Sequence, residues 1–382
     1  MRFLHTADWH LGRIFHNVHL TDDQAYVLEQ FVALAKEAGP DAIVIAGDVY
    51  DRAVPPPEAV RLLDEVFSRL ALDCRVPVIV IAGNHDSPER LGFGERLLAR
   101  QRLHVLGQVA AELPPVVVAD EAGPVYFCPL PYAEPAVVRE RLAVEAAGHE
   151  AALAALTARA AATVPAGARK VAVAHAFVAG GTGCESERPL AVGALPTVSA
   201  AVFAGFDYVA LGHLHQAQRV GGEQVRYAGS LLKYSFSEAS HRKSVALVEL
   251  DAAGRATVEE IALAPRRDVR CLEGCLADIL AAGERDERKE DYIAVTLRDS
   301  GAIFDAMGKL RRVYPNVLHV GRAEGAAATA TGARVDHRRQ SEAELFAAFF
   351  AQATGQALTA AEETAAAGLL EAFNRREREV WA

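Results

Sequence analysis

Five short polar segments in this 382-residue chain carry the residue types that hold divalent metals. They are Asp8-Trp9-His10, Gly47-Asp48, Gly83-Asn84-His85-Asp86, His175 and Gly212-His213-Leu214-His215. Imidazole nitrogens mixed with carboxylate and amide oxygens suit a divalent transition ion better than magnesium, which prefers oxygen alone. A single carboxylate can bridge two ions at about 3.5–4 Å, the spacing used in two-metal hydrolysis. Any one segment by itself reads more simply as a polar strand end that caps backbone groups. Five in a row, each behind an apolar run, point to one shared centre. The sequence holds no Gly-x-Ser-x-Gly elbow, P-loop or dinucleotide fingerprint, so any ATP chemistry belongs to another chain.

The segments need strands to position them. Arg2 to Thr6, Ala42 to Ala46, Val76 to Ala82, Lys170 to Ala174 and Tyr208 to Leu211 are short apolar runs that end at the five segments. Runs of about four to eight such residues read as buried strands, and ligands of open α/β sheets bind at the carboxyl ends of strands. Helical stretches at Asp22 to Ala38 and Glu58 to Leu72 suggest βαβ crossovers. Further strands are expected at Val125 to Cys128, Gln224 to Ala228, Ser244 to Leu250 and Thr257 to Leu263. The fold class is therefore α/β, with two packed mixed sheets flanked by helices over residues 1–265 and an alanine-rich surface helix within 143–163. Past Pro265 the character changes. Arg266, Arg267 and Arg270, a charged helix-like run from Glu284 to Glu290 and a strand from Tyr292 to Leu297 suggest a small α/β capping unit over 266–320. Residues 321–340 read as a linker and 341–382 as a helical tail. In the tail, Ser341 with Glu344 and Thr359 with Glu362 have capping-box spacing. Leu345, Phe346, Phe349 and Phe350 share one helical face, and Leu369, Leu370 and Phe373 share another.

Composition bounds the function. Hydrophobic residues make up 51% and charged residues 24%, the mix of a globular protein. No run of about 18 uncharged apolar residues and no signal-peptide core is present, which excludes a membrane span and favours the cytoplasm. Cysteines at 74, 128, 184, 271 and 275 form no CxxC pair, which argues against a disulfide framework or zinc ribbon and for a reducing compartment. Cys271 and Cys275 have the spacing to face each other on a helix, with separate core or surface thiols the simpler expectation. The net charge of −10 is unlike that of a nucleic-acid binder. Charge acts locally, however, and two divalent ions held by two carboxylates would leave a cleft of about +2.

The order D-x-H, G-D, G-N-H-D, H, G-H-x-H resembles the calcineurin-like metallophosphoesterase superfamily. Within it, MRFLHTADWHLGR, GDVYDRAVPPPEAV, IAGNHDSPERL, and GHLHQ followed by YAGSLLKYSFSE are similar to the SbcD family of nuclease subunits. The likeness is strong over the first 265 residues, weaker over the terminal helices and mainly positional between them. It implies two divalent ions, with Mn2+ expected. One would be held by Asp8, His10 and His215, the other by Asn84, His175 and His213, with Asp48 bridging. It implies that His85 is no ligand and instead either donates a proton to the leaving oxygen or stabilises its charge. Asp51 is expected to orient His85, with Asp86 the rival. Arg52 is either a phosphate contact or an ordinary surface arginine. The implied activity is exo- and endonucleolytic cleavage of DNA for repair, recombination and replication. The implied assembly is a homodimer whose terminal helices grip an SbcC-type coiled-coil ATPase. The alternative is a metallophosphatase or phosphodiesterase acting on a small molecule or protein. His5 is expected in the core, and His16 and His19 either along a DNA path or in a loop without a role.

Overall fold

The computed structural model describes residues 1–188, 197–301, 303–323, 346–347, 350–351 and 356–369. Contacts divide the chain into two compact units, Met1–Val269 and Arg270–Ala382.

The first unit holds two six-stranded mixed sheets. One runs Ala256–Ala262, Ser244–Leu250, Arg2–Thr6, Ala42–Ala46, Val78–Ile81, Leu103–Leu106. The other runs Gln218–Arg219, Val225–Tyr227, Tyr208–Gly212, Arg169–His175, Gly123–Leu130, Val116–Asp120. Successive side chains of a strand point to opposite faces, and a buried strand must be apolar on both. Val171 and Val173 accordingly face a core shared with Phe3, Val44, Ile79 and Phe127, whereas Ala172 and Ala174 face another with Leu142, Leu153 and Leu156. The first of these cores lies between the sheets, where Phe3 meets Phe127 edge-to-face with ring centroids 5.3 Å apart. Each such ring stabilises the fold by roughly 1.5–3 kcal/mol through burial, so a charge at Phe3 or Val173 would separate the sheets.

The Pro57–Ser68 helix ends earlier than its pattern suggested and continues as one wide turn, Arg69–Asp73. The edge strands Leu103–Leu106 and Val116–Asp120 were not expected from the sequence although Val116 to Val118 are β-branched; neither run ends at one of the five polar segments. The alanine-rich helix, His149–Ala161, is an outer element with one face sunk in the second core through Ala152, Leu153, Leu156 and Ala160.

The second unit has a three-stranded sheet, Val269–Gly274, Tyr292–Leu297, Val317–Arg322, with helices Leu276–Gly283 and Ala306–Arg311. The charged run Glu284 to Glu290 forms turns, not a helix. It has no apolar stripe to bury, and the helix lies just before it, where Leu276 and Ile279 supply one. Cys271 lies in a strand and Cys275 caps the helix start, both exposed, so they do not share a helical face. Of the tail, Thr359 and Glu362 form a reciprocal capping box: the Thr359 N–H donates to the Glu362 carboxylate at 2.8 Å and the Glu362 N–H to the Thr359 hydroxyl at 3.4 Å. Ser341, Glu344, Leu345, Phe349, Leu370, Phe373 and the linker from residue 324 onward lie outside the described residues. Among the described residues no helix is long and apolar enough to cross a membrane.

Candidate metal centre

Strand register brings the five segments together. Thr6 pairs with Ile45 and Ala46 with Ile81 in parallel, so Asp8, Asp48 and Asn84 leave the first sheet side by side. Gly212 pairs with His175, which sets His213 and His215 beside it at the corresponding edge of the second sheet. Asp8 then joins the sheets, since its carboxylate accepts the His213 N–H at 2.9 Å. The turns are tight. Asp8, His10, Asp48 and His213 all have positive φ, at 54°, 45°, 49° and 107°, a conformation that costs a non-glycine residue of order 1–3 kcal/mol. Four such residues in one place mark a site that the surrounding packing forces into shape. The glycines answer to the same crowding: a Cβ at Gly83 would lie 2.2 Å from Asp48 Oδ1, and one at Gly212 only 1.9 Å from the Ala46 carbonyl oxygen.

The side chains gather into two groups, Asp8–His10–His215 and Asp48–His175–His213, each with donor atoms within 4.8 Å of one another. Asn84 Oδ1 belongs with the second, 2.9 Å from His175 Nε2 and 3.3 Å from His213 Nδ1. Asp48 Oδ2 stands between the groups, 3.7 Å from His10 Nε2 and 3.4 Å from His175 Nε2. Its other oxygen accepts the backbone N–H of His85 at 2.8 Å. All of these side chains except Asn84 are buried.

The donor chemistry fits cations. His10 Nε2 and His215 Nε2 face each other at 3.0 Å, and their other nitrogens lie beside Asp51, and beside Ser186 and Glu238. With protons on those outer nitrogens, two lone pairs meet across 3.0 Å, an arrangement that a cation between them relieves. Burial holds His10, His213 and His215 below the usual histidine range, His215 at about 3, which keeps them in the neutral, ligating form. His175 behaves oppositely. Burial lowers it, but the Asp48 carboxylate outweighs burial and raises it to about 9. Burial pushes Asp8 well above the carboxylate range. A dry cluster with one carboxyl forced towards neutrality and one imidazole towards charge is short of positive charge, and metal ions supply it.

Residues 1–152 match the family of calcineurin-like phosphoesterases. Residues 265–354 match the domain described as type 5 capsule protein repressor C-terminal domain, the C-terminal domain of SbcD. Together the two matches support an SbcD-type calcineurin-like phosphoesterase. Among solved structures it is similar to the protein TT1561 of Thermus thermophilus, with 17% identity over 68% of this chain and 98% of that one, TM-score 0.39. It is also similar to a dimetal phosphatase from Danio rerio, with 15% identity over 69% and 96%, TM-score 0.42.

The residues flanking the cluster divide differently from expectation. His85, 9% exposed, turns its ring edge-to-face on His10 and donates from Nδ1 to Asp51 at 2.7 Å. The acceptor is the backbone carbonyl of Asp51. Its carboxylate, expected to hold His85, instead takes a guanidinium N–H of Arg13 at 2.8 Å and lies 3.5 Å from His10 Nδ1. Burial raises the Asp51 carboxyl, but the neighbouring His10 ring and the hydrogen bond from Arg13 prevail and leave it at about 2. Asp86 does not touch His85: its carboxylate accepts the backbone N–H groups of Gly83, Val49 and Tyr50, and burial pushes it up to about 6. Arg52 is exposed. His5 lies in the core, its ring nitrogens 3.0 Å from Tyr208 Oη and 3.1 Å from the Leu211 carbonyl oxygen. His16 packs beside Phe15 and Phe236, and His19 ends a two-residue strand.

Sequence reasoning missed a second ring of residues. Gln24 donates to the His10 carbonyl at 2.7 Å and Tyr234 to the Trp9 carbonyl at 2.5 Å, pinning the first turn from behind. Glu187 accepts the His215 N–H at 2.8 Å. Ser186, Glu238 and Lys243 form a buried chain behind the His215 ring. The one available signal was YSFSE, which holds Tyr234 and Glu238, yet nothing in that string says that its glutamate is buried.

Proposed function

We propose that this phosphoesterase is a two-metal-dependent DNA nuclease, exo- and endonucleolytic, working as the nuclease subunit of an ATPase–nuclease complex in DNA repair, recombination and replication. The observation that carries the chemistry is the position of Asp48 Oδ2 between the two histidine-bearing groups. Asp8, His10 and His215 would hold one ion and Asn84, His175 and His213 the other, with Asp48 shared. Mn2+ suits the mixed nitrogen and oxygen donors. Ions held there would polarise a phosphoryl oxygen and lower the pKa of water. The chain's own part lies with His85. Its Nδ1–H is committed to the Asp51 carbonyl, so the ring presents Nε2 to the leaving oxygen and, as the imidazolium with both nitrogens protonated, would pass the Nε2 proton to it and be left neutral with Nδ1–H in place. The exposed Arg52 follows Asp51 and would meet the phosphate backbone.

DNA as substrate and the partners rest on the match of residues 265–354 to the SbcD C-terminal domain. The tail would grip a coiled-coil ATPase of the SbcC type, which the exposure of Phe346 and Leu369 supports. A homodimer is supported by Val60, Leu72, Phe93 and Leu97, all exposed, the first two lining an apolar groove with Leu63 and Phe67. The cytoplasm fits five free cysteines.

The test is Mn2+-dependent cleavage of labelled DNA by the full chain, with bis-p-nitrophenyl phosphate as a small diester control. Both substrates should be cut. Hydrolysis of the small diester without DNA cleavage, even with the ATPase present, would favour a small-molecule phosphodiesterase. Phe346→Glu with Leu369→Glu should abolish co-purification with the ATPase and leave small-diester hydrolysis intact.

A further inference from the structure

The histidines of the two groups differ in what stands behind them. His175 donates from Nδ1 to the Ala46 carbonyl at 2.9 Å, a neutral partner that the sheet supplies. Behind His215 lies a buried side-chain chain. Ser186 Oγ is 2.8 Å from His215 Nδ1 and 2.5 Å from Glu238 Oε1, which is itself 3.4 Å from the ring nitrogen. Glu238 is fully buried and ion-paired with Lys243, so it accepts only. The one serine proton therefore goes to Glu238, the serine lone pair takes the proton on His215 Nδ1, and Nε2 is left bare towards His10. Behind His10 stands Asp51, 3.5 Å from Nδ1 and held by Arg13. Both histidines of one group thus have a carboxylate at their backs, and each carboxylate has its own cation. A buried Glu–Lys pair is a poor source of stability, because desolvation offsets its attraction. Its location behind a ligand candidate supplies another reason for it.

We infer that Glu238, acting through Ser186, and Asp51 are positioning residues that fix the ring orientation and the Nδ1 proton of His215 and His10, and so set the affinity of one of the two metal sites without setting the other. The inference rests on the two-ion reading above. Partners of this kind behind a ligating histidine change metal affinity by about 10–100-fold when removed.

The experiment titrates Mn2+ alone into the metal-stripped full chain by calorimetry, with thermal melting alongside. Wild type should show two binding events. Ser186→Ala removes the relay without touching the Glu238–Lys243 pair and should weaken one event by about 10–100-fold, leaving the other in place. Ser186→Thr keeps a hydroxyl and should restore it, and Asp51→Asn should weaken the same event as Ser186→Ala. Glu238→Gln is the stronger perturbation, and if it fails to fold, Ser186→Ala carries the result. A merely structural role would lower the melting temperature and shift both events together. Equal shifts, or unchanged isotherms in Ser186→Ala and Asp51→Asn, overturn the inference and leave the two-ion reading standing. No uptake by wild type overturns both.

Discussion

Replacing His85 with Ala should separate metal binding from chemistry. The backbone N–H that ties residue 85 to Asp48 Oδ1 survives the change, and the groups Asp8–His10–His215 and Asp48–His175–His213 keep all their donor atoms. What goes is one ring against His10, 4.7 Å between centroids, and one hydrogen bond to the Asp51 carbonyl. A lost hydrogen bond costs about 1 kcal/mol net, so the variant folds and both ions stay. Turnover behaves differently. A positioned proton donor contributes about 10²–10⁴-fold, or about 2.7–5.5 kcal/mol of barrier at 1.36 kcal/mol per decade. That loss should depend on the leaving group. The DNA alkoxide leaves badly without a proton, whereas p-nitrophenolate leaves without one. DNA cleavage at saturating Mn2+ should therefore fall by the full factor and bis-p-nitrophenyl phosphate hydrolysis by much less. Metal content, counted by mass spectrometry, should stay at the wild-type value. Equal losses on both substrates, or metal lost along with activity, would refute the proton-donor role.

Asp51→Asn should not copy His85→Ala, because the backbone and not the carboxylate holds His85; excess Mn2+ should restore turnover in Asp51→Asn and fail to in His85→Ala. Asp48→Asn should remove both ions, since Asp48 Oδ2 is the one carboxylate oxygen placed between the two groups; two fully occupied sites in anomalous scattering would sink the shared-ligand assignment. His5, whose burial lowers its pKa to about 3, should make stability depend on acid. Between about 3 and 6.5 the unfolded chain binds a proton that the folded chain refuses, so stability is complete above pH 6.5 and falls as pH drops. From pH 6.5 to 4.5 the loss is about 2.7 kcal/mol at 1.36 kcal/mol per unit. Urea unfolding of wild type and His5→Gln should differ in slope over that range by about 1.36 kcal/mol per pH unit, the remaining slope belonging to the other buried histidines, and parallel slopes would contradict it.

The strand ends were legible in the sequence because everything that makes them is local. An apolar run and a ligand-type residue lie close together in the chain, with a glycine between them at Asp48, Asn84 and His213; at Gly83 a Cβ would lie 2.2 Å from Asp48 Oδ1. The two-sheet architecture followed from the same runs. Elements without such a signature stayed hidden: the short edge strands, and the helix Leu276–Gly283, whose charged neighbour looked more helical than it is. The supporting residues stayed hidden for another reason. A metal accepts few side-chain types, so ligand positions restrict their residues strongly. A ring nitrogen can be held by a serine, a carboxylate or any backbone carbonyl, so that role leaves little trace in residue type. Asp51 carries both cases at once. Its carbonyl, which any residue would supply, holds His85, and its carboxylate is thereby free to stand behind His10. An aspartate three residues after Asp48 was therefore a real signal: it does partner His85, by its backbone carbonyl, while its carboxylate turns to His10 and Arg13. The carboxylate lies beside His10, and His85 is held by backbone alone.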